Sequence, residues 1–212
     1  MSLKLVMFDM DGVLIDACDW HKEAFNKALS HYTDYIITEE EHYSKFNGLP
    51  TKVKLKKLTD MGVLLEEHHK NVGELKQNKT LDIIHNKCQY DDTKVELIKW
   101  LKENDVKVAC FTNSIRKTAC LMLEKAGVFS YLDMFLSNQD VDKSKPDPEG
   151  YLKILKDLGI DPDDAMIVED SPKGLQAARA TGCKVMQVNN ATEVNIENIR
   201  RFINESFNTH GW

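Results

Sequence analysis

The sequence lacks any long apolar run, and its first acidic residue is already Asp9. A helix that crosses a bilayer needs about 18 or more apolar residues in succession, and a secretory leader needs an apolar stretch behind basic residues. We therefore expect neither a membrane span nor a signal peptide. Cysteine is also scarce, with five scattered residues and no CxxC pair. This usage is typical of reduced thiols in a cytoplasmic protein and not of a disulfide framework.

An excess of basic charge is missing as well. Lysine and arginine number 28 against 34 acidic residues, which gives a formal net charge of −6. Because nucleic acid is normally bound by a basic surface, we expect no nucleic-acid partner. With 10 glycines and 5 prolines the chain is neither collagen-like nor of low complexity. Its 212 residues allow one core domain with a modest second lobe.

Five short apolar segments predict buried strands. They cover residues 3–8, 106–111, 134–136, 165–168 and 184–188. Helical patterns lie between them, over residues 94–104, 115–126 and 151–158. Ser171 followed by Pro172 predicts the start of another helix, and Gly182 its end. The alternation of strands and helices predicts an α/β fold with a doubly wound parallel sheet.

One region interrupts this alternation, between the first and second predicted strands. It shows helical patterns and no convincing strand, over residues 20–29, 39–46, 53–61, 64–75 and 80–88. We therefore expect an all-helical cap domain at residues 17–88, inserted into an α/β core domain formed by residues 1–16 and 89–212.

Four polar clusters lie in loops that reach the predicted sheet. In sequence order they are DMDG at 9–12, TNS at 112–114, KPDP at 145–148 and EDS at 169–171. Ligands of open α/β sheets bind outside the carboxyl ends of the strands, so we expect the clusters to converge there. The first and last clusters contain four acids, Asp9, Asp11, Glu169 and Asp170. Four carboxylates near one point would repel each other, so they imply a bound cation. Oxygen ligands without histidine or cysteine favour Mg²⁺ over zinc.

The Asp-x-Asp pair could alternatively belong to a calcium loop or a simple turn. A calcium loop that begins at Asp9 would need an oxygen ligand at Val13 and a glycine at Leu14, so that interpretation fails.

Phosphoryl transfer uses the groups that are present. A carboxylate can attack phosphorus, a second carboxyl can carry the proton, and a lysine, a hydroxyl and backbone amides can balance the charge. Lys145 and Thr112 suit the last of these roles.

Taken in order, DMDGVLID, TNS, KPDP and VEDS resemble the four motifs of the haloacid dehalogenase-like superfamily. The resemblance implies that Asp9 is the nucleophile and Asp11 the general acid and base. It implies that Mg²⁺ is held by Asp9, the main chain of Asp11 and Asp170, with Glu169 close to the water shell of the ion. An acidic residue two positions after the nucleophile is a feature that this sequence shares with the phosphatase and phosphomutase branches of the superfamily.

The same resemblance assigns the phosphoryl-binding groups. Thr112 and the amide of Asn113 would hold the phosphoryl oxygens, and Lys145 would neutralise charge between Asp9 and the phosphate.

The helical insertion is similar to the cap of the beta-phosphoglucomutase-like subgroup. This likeness implies substrate-binding roles for His21, Gly48, Lys52 and Lys76. The alternatives are a histidine satisfied within its helix and lysines on a solvated helix face. A lysine at position 52, where the mutase is expected to have arginine, lacks the planar fork that grips a second phosphate, and this departure weakens the phosphomutase assignment.

These observations favour a Mg²⁺-dependent phosphatase that acts on a small phosphorylated metabolite such as a sugar phosphate, through an aspartyl phosphate. A sugar phosphomutase is the second hypothesis. The third is a sensor of phosphorylated metabolites without catalytic activity. The sequence does not determine the physiological substrate or the oligomeric state.

Overall fold

The computed structural model describes residues 3–207 and has an α/β fold. Within this range five parallel strands form one sheet in the order β3-β2-β1-β4-β5. They are β1 Leu5–Phe8, β2 Lys107–Phe111, β3 Met134–Leu136, β4 Ala165–Glu169 and β5 Lys184–Gln187. The predicted strands and the doubly wound parallel sheet are confirmed. β1 and β4 are buried at every position, which is why both are apolar without alternation, except at Glu169, the last residue of β4.

The helices follow the alternation of the sequence. They are α1 Cys18–Leu29, α2 Glu39–Glu41, α3 Thr51–Asp60, α4 His69–Lys87, α5 Asp92–Glu103, α6 Arg116–Lys125, α7 Glu149–Leu158, α8 Pro172–Arg179 and α9 Ile196–Phe207. A π-helical turn, His42–Phe46, follows α2, and short 3₁₀ turns cover Glu66–His68, Phe129–Tyr131, Pro162–Asp164 and Ala191–Glu193. In residues 3–207 no helix combines the length and the apolar character that crossing a lipid bilayer requires.

The contacts divide the described chain into two units. Ala17–Cys88 forms a helical unit, and the residues before and after it form a sheet unit. The helical unit has its own core, in which Phe25, Phe46 and Leu58 are almost completely buried.

The longest helix of the helical unit differs from the prediction. Two helices were expected at 64–75 and 80–88, whereas α4 runs without a break from His69 to Lys87. The polar residues 76–79 interrupt the apolar pattern and so suggest a boundary. They include neither proline nor glycine, and lysine and glutamine are good helix formers, so the backbone continues through them.

The sequence also predicted where one helix of the sheet unit begins and ends. The Ser171 hydroxyl caps α8 by accepting from Gly174 N at 3.1 Å, as predicted. The last helical residue of α8 is Arg179, and Gly182, three residues later, has the left-handed φ of +85° that was expected of it. α9 was not predicted, although Ile199 and Ile203 lie on its buried face at the spacing of a helix.

The register of the sheet determines where the polar clusters meet. Phe8, the last residue of β1, pairs with Cys110 on one side and Val168 on the other. Asp9 therefore follows β1 where Glu169 ends β4. β2 and β3 lie on one side of β1, and β4 and β5 on the other, so the strand order reverses between β1 and β4. Ligands of such sheets bind at this reversal.

Candidate active site

Three carboxylates meet at the carboxyl ends of β1 and β4. One oxygen each of Asp9, Glu169 and Asp170 lies within 4.8 Å of the others. Asp9 is 7% exposed and Glu169 is fully buried. The amide of Asp9 donates to the Val168 carbonyl at 3.0 Å, so sheet pairing continues one residue past β1 and fixes Asp9 beside β4.

Lys145 supplies the positive charge at this cluster. Its ammonium donates to Asp9 Oδ1 at 2.5 Å and to Glu169 Oε1 at 2.6 Å. Burial lowers the pKa of Lys145, but the two carboxylates more than offset this, so its pKa lies above the ordinary value. The ammonium also lies 4.9 Å from the ring centroids of Phe111 and Tyr151, within the range of cation–π attraction. The lysine is therefore charged throughout the physiological pH range.

The backbone of Lys145 is braced by Asn113. Lys145 N donates to Asn113 Oδ1 at 3.0 Å, and Asn113 Nδ2 donates to the Lys145 carbonyl at 3.2 Å. The Lys145–Pro146 peptide bond is cis. These two hydrogen bonds join the loop after β2 to the loop that holds the lysine. The contact of Asn113 with a phosphoryl group stays a prediction.

Glu169 is held by donors on both carboxylate oxygens. The Tyr151 hydroxyl donates to Oε1 at 2.9 Å, and the Ser171 hydroxyl donates to Oε2 at 3.3 Å. Burial raises the pKa of Tyr151 well above its ordinary value, so the phenol keeps its proton. In the sequence Tyr151 is indistinguishable from an apolar position of a core helix, which is why its contact with the carboxylate was missed.

Gly174 provides the space that Glu169 occupies. A Cβ atom at Gly174 would lie 1.9 Å from Glu169 Oε1, far inside van der Waals contact. We expect Gly174→Ala to lower the free energy of unfolding by about 1–3 kcal/mol, because the buried carboxylate would have to shift away from its donors. Urea unfolding monitored by circular dichroism measures this change.

Gly73→Ala is the matched control. Gly73 lies inside α4, where a Cβ would meet nothing closer than Leu55 Cδ1 at 4.0 Å. Alanine is favoured over glycine in a helix interior, so the free energy of unfolding of this variant should rise by about 0.5–1 kcal/mol. Equal stabilities for the two variants would contradict the assigned role of Gly174.

The electrostatics of the cluster favour a cation. Burial, with Glu169 as the next contributor, raises the pKa of Asp170 to about 7. Burial also raises the pKa of Asp9, with Lys145 acting in the opposite direction and the neighbouring carboxylates adding to the rise. Asp170 Oδ1 is buried without a hydrogen-bond partner in residues 3–207. A hard divalent cation such as Mg²⁺ fits this group of oxygens, because it would relieve both the repulsion and the unsatisfied oxygen.

The carboxylate of Asp11 is not brought into this group of three. Its Oδ2 accepts from the Ser114 hydroxyl at 2.7 Å and from the Thr112 hydroxyl at 3.4 Å. Hydroxyl groups of the loop after β2 therefore hold the Asp11 carboxylate, which is not one of the three acids of the cluster. A metal contact through the main chain of Asp11 stays a prediction.

The predicted substrate-binding residues of the cap belong to the helical unit. Lys76 Nζ of α4 lies 3.4 Å from His21 Nδ1 of α1, so these two residues are brought together. Lys52 lies in the first turn of α3. Gly48 precedes that helix with a φ of +69°, a conformation that favours glycine. Their contacts with a substrate stay predictions.

Comparison with known proteins is consistent with this geometry. The family model described as "Haloacid dehalogenase-like hydrolase" matches residues 6–188. A phosphorylated carbohydrates phosphatase of Thermotoga maritima is 28% identical over 185 residues, which cover 85% of this chain and 82% of that protein. Phosphoglycolate phosphatase 1 of Pseudomonas aeruginosa is 26% identical over 188 residues, covering 85% of this chain and 67% of that protein.

A solved structure is similar in fold over nearly all of this chain. Beta-phosphoglucomutase of Clostridium difficile is similar with a TM-score of 0.83 at 21% identity, covering 98% of this chain and 100% of that one. At this identity the similarity supports the fold alone.

Proposed function

This chain belongs to the haloacid dehalogenase-like hydrolase family, and we propose that it acts as a Mg²⁺-dependent phosphatase on a small phosphorylated metabolite such as a sugar phosphate. The observation that supports this most strongly is the buried Asp9 carboxylate, held by Lys145 at 2.5 Å beside Glu169 and Asp170. The two curated relatives described above are both named as phosphatases.

The first proposed step forms an aspartyl phosphate. A carboxylate oxygen of Asp9 attacks the phosphorus atom, and the bond between phosphorus and the leaving oxygen breaks. The protonated Asp11 carboxyl gives its proton to that oxygen, so an alcohol departs and Asp11 becomes a carboxylate. The Lys145 ammonium stays beside Asp9 and offsets negative charge on the transferring group.

The second proposed step is hydrolysis of that aspartyl phosphate. Water attacks the phosphorus atom, and the Asp11 carboxylate takes a proton from it. The bond between phosphorus and the Asp9 oxygen breaks, which releases inorganic phosphate and restores the Asp9 carboxylate. Asp11 is again protonated and ready for the next substrate. Thr112 and Asn113 are the proposed donors to the phosphoryl oxygens in both steps.

The proposed metal ligands are the carboxylates of Asp9 and Asp170 and the main chain of Asp11, with Glu169 beside them. The unpartnered, buried Oδ1 of Asp170 supports this assignment. When bound, Mg²⁺ supplies positive charge that stabilises the transferring phosphoryl group.

Substrate choice is proposed for the helical unit, through His21, Gly48, Lys52 and Lys76. The paired His21 and Lys76 would offer hydrogen bonds and charge to the part of the substrate that does not react. A cytoplasmic location and the lack of a nucleic-acid partner stay predictions from composition.

A substrate screen tests the proposal. The purified chain is incubated with Mg²⁺ and a panel of phosphorylated sugars, nucleotides and small acids, and released phosphate is measured. We expect turnover on at least one class, its loss with a chelator, and its recovery when Mg²⁺ is added in excess. No release across the panel would contradict the phosphatase and favour a sensor without catalytic activity.

A sugar phosphomutase is the second candidate, supported by the similarity of the helical segments to the beta-phosphoglucomutase-like subgroup. The chain is given beta-glucose 1-phosphate with a trace of the bisphosphate. A phosphatase releases free phosphate in proportion to the substrate consumed. A mutase instead forms glucose 6-phosphate without stoichiometric phosphate release.

A further inference from the structure

Ser114 contacts Asp11 more closely than Thr112 does. Its hydroxyl donates to Asp11 Oδ2 at 2.7 Å, whereas the Thr112 hydroxyl lies at 3.4 Å from the same oxygen. A hydroxyl-to-carboxylate hydrogen bond at 2.7 Å is strong and directional. Nothing in the two proposed chemical steps requires Ser114 itself, so its contact calls for a separate explanation.

The backbone of Ser114 is fixed on both sides. Its amide donates to the Thr112 hydroxyl at 3.0 Å, and its carbonyl accepts from the Asn138 amide at 3.3 Å. Thr112 follows β2 and Asn138 follows β3, so Ser114 is tied to the ends of two neighbouring strands. The sheet unit therefore delivers the Ser114 hydroxyl from a defined position.

The backbone next to Asp11 is also fixed. Gly12 N donates to the Ile15 carbonyl at 2.7 Å, and Asp11 forms a β-bridge with Ile15. A fixed backbone still leaves an aspartate side chain free to choose among rotamers. A hydrogen bond to one carboxylate oxygen removes that freedom, because it also sets the direction of the other oxygen.

We propose that Ser114 is a positioning residue that orients the Asp11 carboxyl for proton transfer to the leaving oxygen. The inference rests on the proposed phosphatase function. As the bond between phosphorus and the leaving oxygen breaks, the Asp11 proton moves to that oxygen, and a misdirected carboxyl delivers it less often. Alkyl leaving groups need this proton, whereas phenols that are already acidic depart with little help.

The test compares kcat/KM for an alkyl phosphate and for p-nitrophenyl phosphate. This parameter covers the chemistry up to departure of the leaving group, so it isolates the acid role of Asp11. We expect Ser114→Ala to raise the ratio of aryl to alkyl kcat/KM by about tenfold, mainly through a lower kcat for the alkyl substrate. Ser114→Thr, which keeps the hydroxyl, should restore the ratio to within about twofold to threefold of the wild type.

Three further variants sharpen the test. Ser137→Ala removes a buried hydroxyl that donates to Asp140 at 2.6 Å near the end of β3, and it should leave the ratio unchanged. Ser114→Cys keeps the approximate size of the side chain but offers only a weak hydrogen-bond donor, so it should give the same shift in the ratio as Ser114→Ala. It replaces Ser114→Ala in the test if the alanine variant does not fold. In an Asp11→Asn background, Ser114→Ala should change the ratio no further.

The possible outcomes separate this inference from the phosphatase proposal. A wild-type chain that releases no phosphate from either substrate contradicts both. If the wild type hydrolyses both substrates, an unchanged ratio in Ser114→Ala and Ser114→Cys overturns the positioning role alone. Equal losses on the two substrates also overturn it, since they would indicate damage to the fold or to phosphate binding. A ratio that still shifts in the Asp11→Asn background shows that Ser114 does not act through Asp11.

Discussion

Replacing Asp9 with asparagine is expected to lower turnover of p-nitrophenyl phosphate by at least about 10³-fold, because an amide is a far weaker nucleophile towards phosphorus than a carboxylate. The substrate has a good leaving group, so the loss reports the nucleophile and not the proton donor. Initial rates at saturating substrate and Mg²⁺ measure the effect. Unchanged turnover would remove the aspartyl-phosphate mechanism.

The fold of the Asp9→Asn variant should be intact. An asparagine oxygen can still accept from Lys145, and the substitution removes one negative charge from a buried group of three acids. Burial already raises the pKa of Asp9, which means that its charged form is disfavoured where it stands. Circular dichroism and urea unfolding should therefore show no large loss of stability. Asp16→Asn, at an exposed position beyond the same loop, is the control and should keep activity within about twofold of the wild type.

Lys145→Met is expected to have the largest effect on stability. It leaves Asp9 and Glu169 buried without their shared cation, and breaking a buried ion pair by removing one partner costs about 3–5 kcal/mol. Urea unfolding with a chelator present measures the loss, so that a bound metal cannot compensate. A variant as stable as the wild type would show that the ion pairs contribute nothing to folding.

The loss should depend on pH in a defined direction. Asp9 has a raised pKa in the folded protein, and removing Lys145 raises it further because the opposing charge is gone. An acid with a raised native pKa binds more protons when folded than when unfolded, so stability falls as the pH rises above the ordinary aspartate pKa. The loss of stability of Lys145→Met relative to the wild type should thus be larger at about pH 8 than at about pH 5.

Lys153→Met provides the comparison for a lysine at the surface. Its partner Asp157 lies one helical turn away at 3.2 Å, and both side chains are largely exposed. Exposed ion pairs of this kind contribute little to stability, so the free energy of unfolding should change by no more than about 0.5 kcal/mol. The contrast between the two lysines separates the effect of burial from that of charge.

The sheet was predictable because a strand buried on both faces must be apolar at nearly every position, and β1 and β4 are. Helix limits were less predictable. The polar run in the middle of α4 interrupts the apolar periodicity without interrupting the backbone, because its residues are compatible with a helix and α4 as a whole packs on α1. Local sequence therefore indicated which elements exist more reliably than where each begins and ends.

The order and composition of the polar clusters predicted that Asp9, Asp11, Glu169, Asp170 and Lys145 converge, because the carboxyl ends of parallel strands share one edge. Which atoms touch could not be read from order, since it depends on distances across the sheet. Only the tertiary structure showed that Lys145 bridges Asp9 and Glu169, that Tyr151 and Gly174 accommodate Glu169, and that the Ser114 and Thr112 hydroxyls donate to Asp11. Residue chemistry is local and visible along the chain, whereas hydrogen-bond partners and free space depend on the packing of segments distant in sequence.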